Sequence, residues 1–346
     1  MNAQNERGMM RIPGLRGLVR LLLLAAMCLS AHSAWALTCF AGSPDARTLT
    51  FTESIGSVQT YPENVPDGTI IWISPTRTTT GYCQKDLVGG LDYLDPVSFY
   101  ANPQSITLPG LQIGIRFNGQ DVYDATSVPG GGLFTGTTVP TCTTDQYVSA
   151  NGGCPPVPVS FTYQVVVRKQ GTWTGTLPDT YNVFQFDGVN GINCCRPSFN
   201  YILSGLSKLA PTPCTVDVTV TPEPGIVDFG QVQSTPTGFQ PARPTKNFSL
   251  LLQKKECGVG VNIQGYFQTS NQVQNNMILP ESDSNFGIGI QDGGGRQVPI
   301  GEPFDLQNFS ETQTSVSIPF TATLTPLGVP KIGPFEAIAT VLILYN

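Results

Sequence analysis

The stretch that decides the fold is residues 333–346, G-P-F-E-A-I-A-T-V-L-I-L-Y-N. Gly333 opens it, and Phe335, Ala337, Ala339, Val341, Ile343 and Tyr345 then fall on every second position. Successive side chains of a strand point to opposite faces, so this spacing predicts one strand with a continuous apolar face. A charge placed at Val341 is expected to damage that face. A charge at Leu342, on the other parity, is expected to disturb less. Ordinary sandwich edge strands also alternate in this way, so the pattern fixes the element and not its use.

The other end of the chain reads as a secretory leader. Arg7, Arg11, Arg16 and Arg20 precede an apolar run over 21–29, and Ala34-Trp35-Ala36 has the small-x-small form of a cleavage site. Residues 1–36 are therefore expected to be a signal peptide, with the processed chain starting at Leu37. Met9 or Met10 serves equally well as the start. No later apolar run is long enough to span a membrane as a helix.

Of nine cysteines, Cys28 lies in the leader; the remaining even set is 39, 83, 142, 154, 194, 195, 214 and 257. In an exported chain this points to disulfides and an oxidising compartment. Two separated C-x-x-C pairs, the mark of a zinc site, are missing. The one histidine, His32, is in the leader, which removes Ser-His-Asp and Cys-His catalysis and histidine metal sites. No metal and no cofactor are expected. Without the leader's four arginines and Glu6 the chain carries 14 basic and 23 acidic residues, a net charge of −9. There is no basic stripe, so nucleic acid is not expected as a partner.

Scarce charge and abundant Gly, Pro, Ser and Thr suit many short strands and turns. Roughly 310 residues after the leader suggest two domains. The boundary is expected at 209–213, Leu-Ala-Pro-Thr-Pro, where two prolines make a stiff extended connector. Beyond Cys214, Val216, Val218 and Val220 alternate, followed by Val227-Asp-Phe-Gly230. Phe248, Leu250 and Leu252 lead to Cys257, with Val259, Val261 and Ile263 after it. Phe286, Ile288 and Ile290 are turned by Asp292-Gly-Gly-Gly295 into Val298 and Ile300. Val316, Ile318, Phe320, Ala322 and Leu324 form the penultimate strand, and Pro319 fits an edge position within it.

This segment resembles the pilin domain of chaperone-usher pilus subunits, in which a glycine fourteen from the end and a penultimate tyrosine form a motif. The resemblance implies a Cys214–Cys257 disulfide and an incomplete immunoglobulin-like sandwich that lacks its last strand. A periplasmic pilus chaperone fills the gap, and the amino-terminal donor strand of the next pilus subunit then replaces it at the outer-membrane usher. Carried over, the groove is expected along the strand 316–324, between it and an early strand, with the alternating residues of 333–346 as the other contributors. One departure from an ordinary pilin matters: roughly 175 residues precede Cys214, the length of a domain. Such a subunit accepts a donor and cannot give one, so it is identified as a two-domain tip adhesin at the end of a fimbrium on the cell surface.

The first segment also reads as a β-sandwich, immunoglobulin-like or jelly-roll-like, over 37–208. Ile70 and Trp72 alternate, as do Leu111, Ile113, Ile115 and Phe117; the longest alternation runs from Val157 to Val167. Its start resembles the mannose-type tip lectins, which implies a Cys39–Cys83 disulfide. It also implies a pocket for a receptor glycan or protein at Leu37, Lys85, Asp86, Asp92 and Tyr93. Leu37 stands where that family has an aromatic residue. Proximity points to Cys142–Cys154 and to a vicinal Cys194–Cys195, with bridges crossing between those pairs as the alternative. A rival function is a minor fimbrial subunit that binds no receptor. A second rival is a carboxylate-pair hydrolase using Asp179 and Asp187, which needs no histidine.

Overall fold

The structure is a computed structural model that describes residues 37–345 apart from 57–59, 86–93, 129–130, 147–152, 189–191, 193–197 and 256. Among the described residues the regular elements are strands and three-residue 3-10 helices. The chain is all-β and folds as two sandwiches. One apolar core gathers residues from Leu37 to Leu209, and a second gathers residues from Cys214 to Tyr345.

In the first sandwich, one sheet runs Ala46–Thr48, Leu37–Ser43, Arg77–Lys85, Val157–Lys169, Leu111–Phe117 and Gln120–Val122, with Ile70–Ile73 also on the long strand. The facing sheet runs Leu133–Val139, Asp95–Ala101, Thr180–Asp187, Asn200–Ser204 and Thr50–Ser54. Aromatic residues meet between them: the Phe99 ring lies 4.7 Å from Phe186 and 5.1 Å from Phe184 in tilted and edge-on geometry, the arrangement the ring quadrupoles favour. Residues 210–212 of the expected connector form a short strand, Ala210–Thr212, parallel to Thr60–Pro62.

In the second sandwich, one sheet contains Thr215–Thr221, Thr245–Lys255, Ser315–Pro326, Phe286–Asp292, Met277–Ile278 and Val273–Gln274; the other contains Pro303–Phe309, Val261–Gln268 and Thr340–Tyr345. The disulfides Cys39–Cys83, Cys142–Cys154 and Cys214–Cys257 are formed. Cys194 and Cys195 lie outside the described residues.

The expected single strand over 333–346 is shorter than its alternation. Only Thr340–Tyr345 joins a ladder, because its partner strand ends at Gln268, opposite Thr340. Gly333 is exposed at φ 142°, a conformation that side chains rarely adopt. Phe335 and Ala337 nevertheless stay half-buried on the core, with the Phe335 ring 5.1 Å from Phe286, whereas Ala339 is exposed.

The strand 316–324 faces inward with the expected parity: Phe320, Ala322 and Leu324 are buried. Its position differs from the expectation. The early strand Thr245–Lys255 already occupies one of its edges, and Phe286–Asp292 takes the other from Phe320 onward. A groove between 316–324 and an early strand is therefore closed by hydrogen bonds. Pro319 stands one residue before the second ladder begins, opposite Ser249 on the first, so its missing donor disturbs no pairing there.

The two sandwiches touch. Ile73, Tyr123 and Val166 of the first pack with Tyr266 and Leu344 of the second, and Ile70 and Leu342 cover that cluster in part. The off-parity residues of the terminal strand are therefore not an outer face. Leu344 is wholly buried, and Leu342 is half-buried. A charge at Leu342 would therefore meet the first sandwich and not solvent.

Candidate functional site

The two sheets of the second sandwich both end on the same side. Thr215–Thr221 is the last strand of one, paired only with Thr245–Lys255, and Thr340–Tyr345 is the last strand of the other, paired only with Val261–Gln268. Among the described residues the second edge of Thr340–Tyr345 has no ladder partner. The backbone groups along such an edge are a template for another strand.

Side-chain burial marks the same place. Leu250, Leu252, Ile263 and Leu324, deep between the sheets, are at 0% exposure. Val218, Val220, Val227, Phe229, Val341 and Ile343 pack on the same core yet remain only partly covered. Residues 226–232 belong to no strand, and Ile226 is 65% exposed. Inward-facing apolar side chains without a cover are what a sandwich one strand short must show. At one end the gap is pinned: the Val216 N–H donates to the Tyr345 hydroxyl at 2.9 Å. Burial pushes the Tyr345 phenol up to about 12, with the Val216 hydrogen bond acting the other way.

Of the residues expected to line a receptor pocket, Leu37 and Lys85 are among the described residues. Leu37 lies opposite Lys85 in the ladder, and both are buried. Burial pushes the Lys85 ammonium down, while the nearby Asp95 acts to raise it. Asp86, Asp92 and Tyr93 lie outside the described residues. The polar groups around Leu37 include Asp95, Asp187 and Gln185, all buried. Sequence reasoning missed them as a group, since they come from remote strands with no shared spacing. Asp187 accepts from the Leu37 N–H at 3.2 Å and from Gln185 Nε2 at 3.0 Å.

The pairing behind the hydrolase alternative is not formed. Asp179 is exposed and accepts from the Ser207 hydroxyl at 2.6 Å, while Asp187 is buried at the other end of Thr180–Asp187. Eight residues of strand place them about 25 Å apart, far beyond the spacing of a glycosidase carboxylate pair.

A cavity of about 340 Å³ in the first sandwich is lined by Gly68, Ile70, Gln112, Asp121, Tyr123, Asp124, Ser127 and Arg168. Its charges are partnered within it or beside it. The Arg168 guanidinium stacks 3.8 Å from the Tyr123 ring and donates to Gln112, and Arg116 grips Asp121 at 2.6 and 2.9 Å. No spacing in the sequence pointed to it.

Comparison with known proteins adds the following. In solved structures, the chain is similar to the P pilus rod subunit PapA, at 16% identity over 39% of this chain and 92% of that one, with a TM-score of 0.29. It is also similar to the CupB6 tip adhesin from Pseudomonas aeruginosa, at 12% identity over 89% of this chain and 93% of that one, with a TM-score of 0.24. A third is the CsuC-CsuE chaperone-tip adhesion subunit pre-assembly complex of Acinetobacter baumannii, at 10% identity over 89% and 99%, with a TM-score of 0.25. Residues 203–346 match the family described as Fimbrial protein, a span that takes in the second sandwich with its half-covered core and the terminal strand Thr340–Tyr345.

Proposed function

We propose that this chain is a two-domain tip adhesin of a chaperone-usher fimbrium. The observation that carries the reading is the free edge of Thr340–Tyr345 beside half-covered apolar residues. A strand supplied in trans would gain main-chain hydrogen bonds along that edge and fill the uncovered positions with alternate side chains. In the periplasm a chaperone supplies it; at the usher, the donor strand of the next subunit replaces it. The segment ahead of Cys214 is itself a folded sandwich whose last strand is paired to Thr60–Pro62. It offers no free donor, so this subunit ends the fibre and presents its first domain, a non-enzymatic receptor-binding module, on the cell surface.

The receptor is a glycan or a protein recognised by that first sandwich. A minor subunit that only terminates the fibre is the second reading, favoured by the burial of Leu37 and Lys85. Exposing the chaperone-bound chain to a glycan array and to host-cell surfaces separates the two. Saturable binding that is lost when residues 37–209 are removed supports the adhesin. Absence of binding on every surface, with normal fibre assembly, supports the terminator.

A further inference from the structure

We propose that the buried Asp187 carboxylate is the acceptor for the α-ammonium that leader removal creates on Leu37, and that this pair latches the first strand into the first sandwich. The inference rests on cleavage after Ala36 and is independent of receptor binding. The Leu37 nitrogen already lies 3.2 Å from Asp187 Oδ1, which also accepts from the Gly188 N–H at 2.8 Å, and Oδ2 accepts from Gln185 Nε2 at 3.0 Å. Leu37 opens a strand of one sheet, and Asp187 closes a strand of the facing sheet. The contact therefore ties the two layers together at one end. Gly188 keeps the site tight. A Cβ there would stand 2.8 Å from Asp95 Oδ1 and 3.0 Å from Leu37 Cγ, so a second buried carboxylate closes on the same spot. The like charge nearby is Lys85, the ladder partner of Leu37, which burial disfavours in its charged form.

Before cleavage the Leu37 nitrogen is an uncharged amide with one proton. Hydrolysis of the Ala36–Leu37 bond consumes one water and leaves a carboxylate on Ala36 and a three-proton cation on Leu37. An ionised donor on an ionised acceptor binds more strongly than a neutral amide does. The carboxylates in turn favour the charged amine and raise its pKa.

The exported chain, purified with its bound chaperone, is first weighed intact. A mass beginning at Leu37 is required, and any other first residue overturns the proposal while leaving the terminal-strand seam untouched. The Leu37 α-amine is then acylated with a small amine reagent from pH 6 to 10, with the rate read on the amino-terminal peptide by mass spectrometry. The expected profile is centred at least about one pH above the ordinary α-amino value of about 7.7–8.0. In Asp187→Asn it returns to that value, and labelling at pH 7.5 rises at least about sixfold. Where Asp187→Asn does not fold, the unmutated profile decides. An ordinary α-amino value there overturns the latch.

Discussion

At Tyr345 a single hydroxyl spans the ends of two sheets, accepting the Val216 N–H at 2.9 Å. Tyr345→Phe removes the acceptor and keeps the ring, so a buried N–H is left unpaired. The expected loss is about 1–3 kcal/mol, read as a shift in the urea midpoint of the strand-complemented chain. An unchanged midpoint would mean that water replaces the hydroxyl. The tyrosines also set an alkaline limit. Burial pushes Tyr61 and Tyr345 up to about 12, and burial pushes Tyr123, Tyr163, Tyr181 and Tyr201 higher still. Unfolded phenols ionise near 10. The unfolded chain therefore loses protons first. Stability from these groups is complete below pH 10 and is lost as pH rises from 10 toward 12 and beyond. Phenolate absorbance at 295 nm should lag a free-tyrosine curve and then rise together with unfolding. A titration centred at 10 in the folded chain would contradict the burial. Pair contacts of this kind were only partly legible in the sequence. The neighbourhood of Leu37 and Lys85 followed from a resemblance that linked Cys39 to Cys83. Asp95 and Asp187 carry no spacing signal, because only the folded topology brings them to Leu37.

For whole elements, period-two alternation located most strands and the side that faces the core, since parity is local, but it overran the terminal strand, which forms only over Thr340–Tyr345. It could not tell which edge stays free, because the neighbours of a strand are chosen over long sequence distances. That is why 316–324 was expected beside the groove and is found paired to Thr245–Lys255. It is also why Leu342, where a charge was expected to disturb less, is found with Leu344 against the first sandwich. The long strand Val157–Lys169 shows the same effect: Val165 and Val167 enter its own core, while Val166 faces the second domain. Under the proposed function the terminal strand has two separable roles. Val341→Asp places a charge at the seam and is expected to abolish co-purification with the chaperone. Leu342→Asp buries an unpaired charge at the domain junction, at a cost of several kcal/mol. It is expected to loosen the two domains while strand capture persists. Periplasmic pull-down and small-angle scattering read the two effects. The reverse assignment, with Leu342→Asp losing the chaperone and Val341→Asp loosening the domains, would contradict the placement.

Across the whole molecule, polar contacts fix how the sandwiches meet. The Tyr266 hydroxyl donates to Gln164 Oε1 at 3.2 Å, and Gln164 Nε2 donates to the carbonyls of Ser74 at 3.1 Å and Gly301 at 3.0 Å. The Thr76 N–H donates to Glu302 at 2.8 Å. Gln164→Ala takes this donor from the Ser74 and Gly301 carbonyls beside an apolar cluster, so faster hydrogen exchange is expected around Gly301 with the two cores unchanged. Exchange at its original rate would show that the junction does not depend on this amide. The central claim is that the second sandwich is completed by a strand from another chain at the edge of Thr340–Tyr345. Hydrogen exchange along 340–345 tests it most directly, comparing the chain freshly released from its chaperone with the same chain saturated by an alternating apolar donor peptide. The amides pointing away from Val261–Gln268 are expected to exchange freely without the peptide and to become protected at least about a hundredfold with it. Full protection of every amide in 340–345 without any added strand would contradict it.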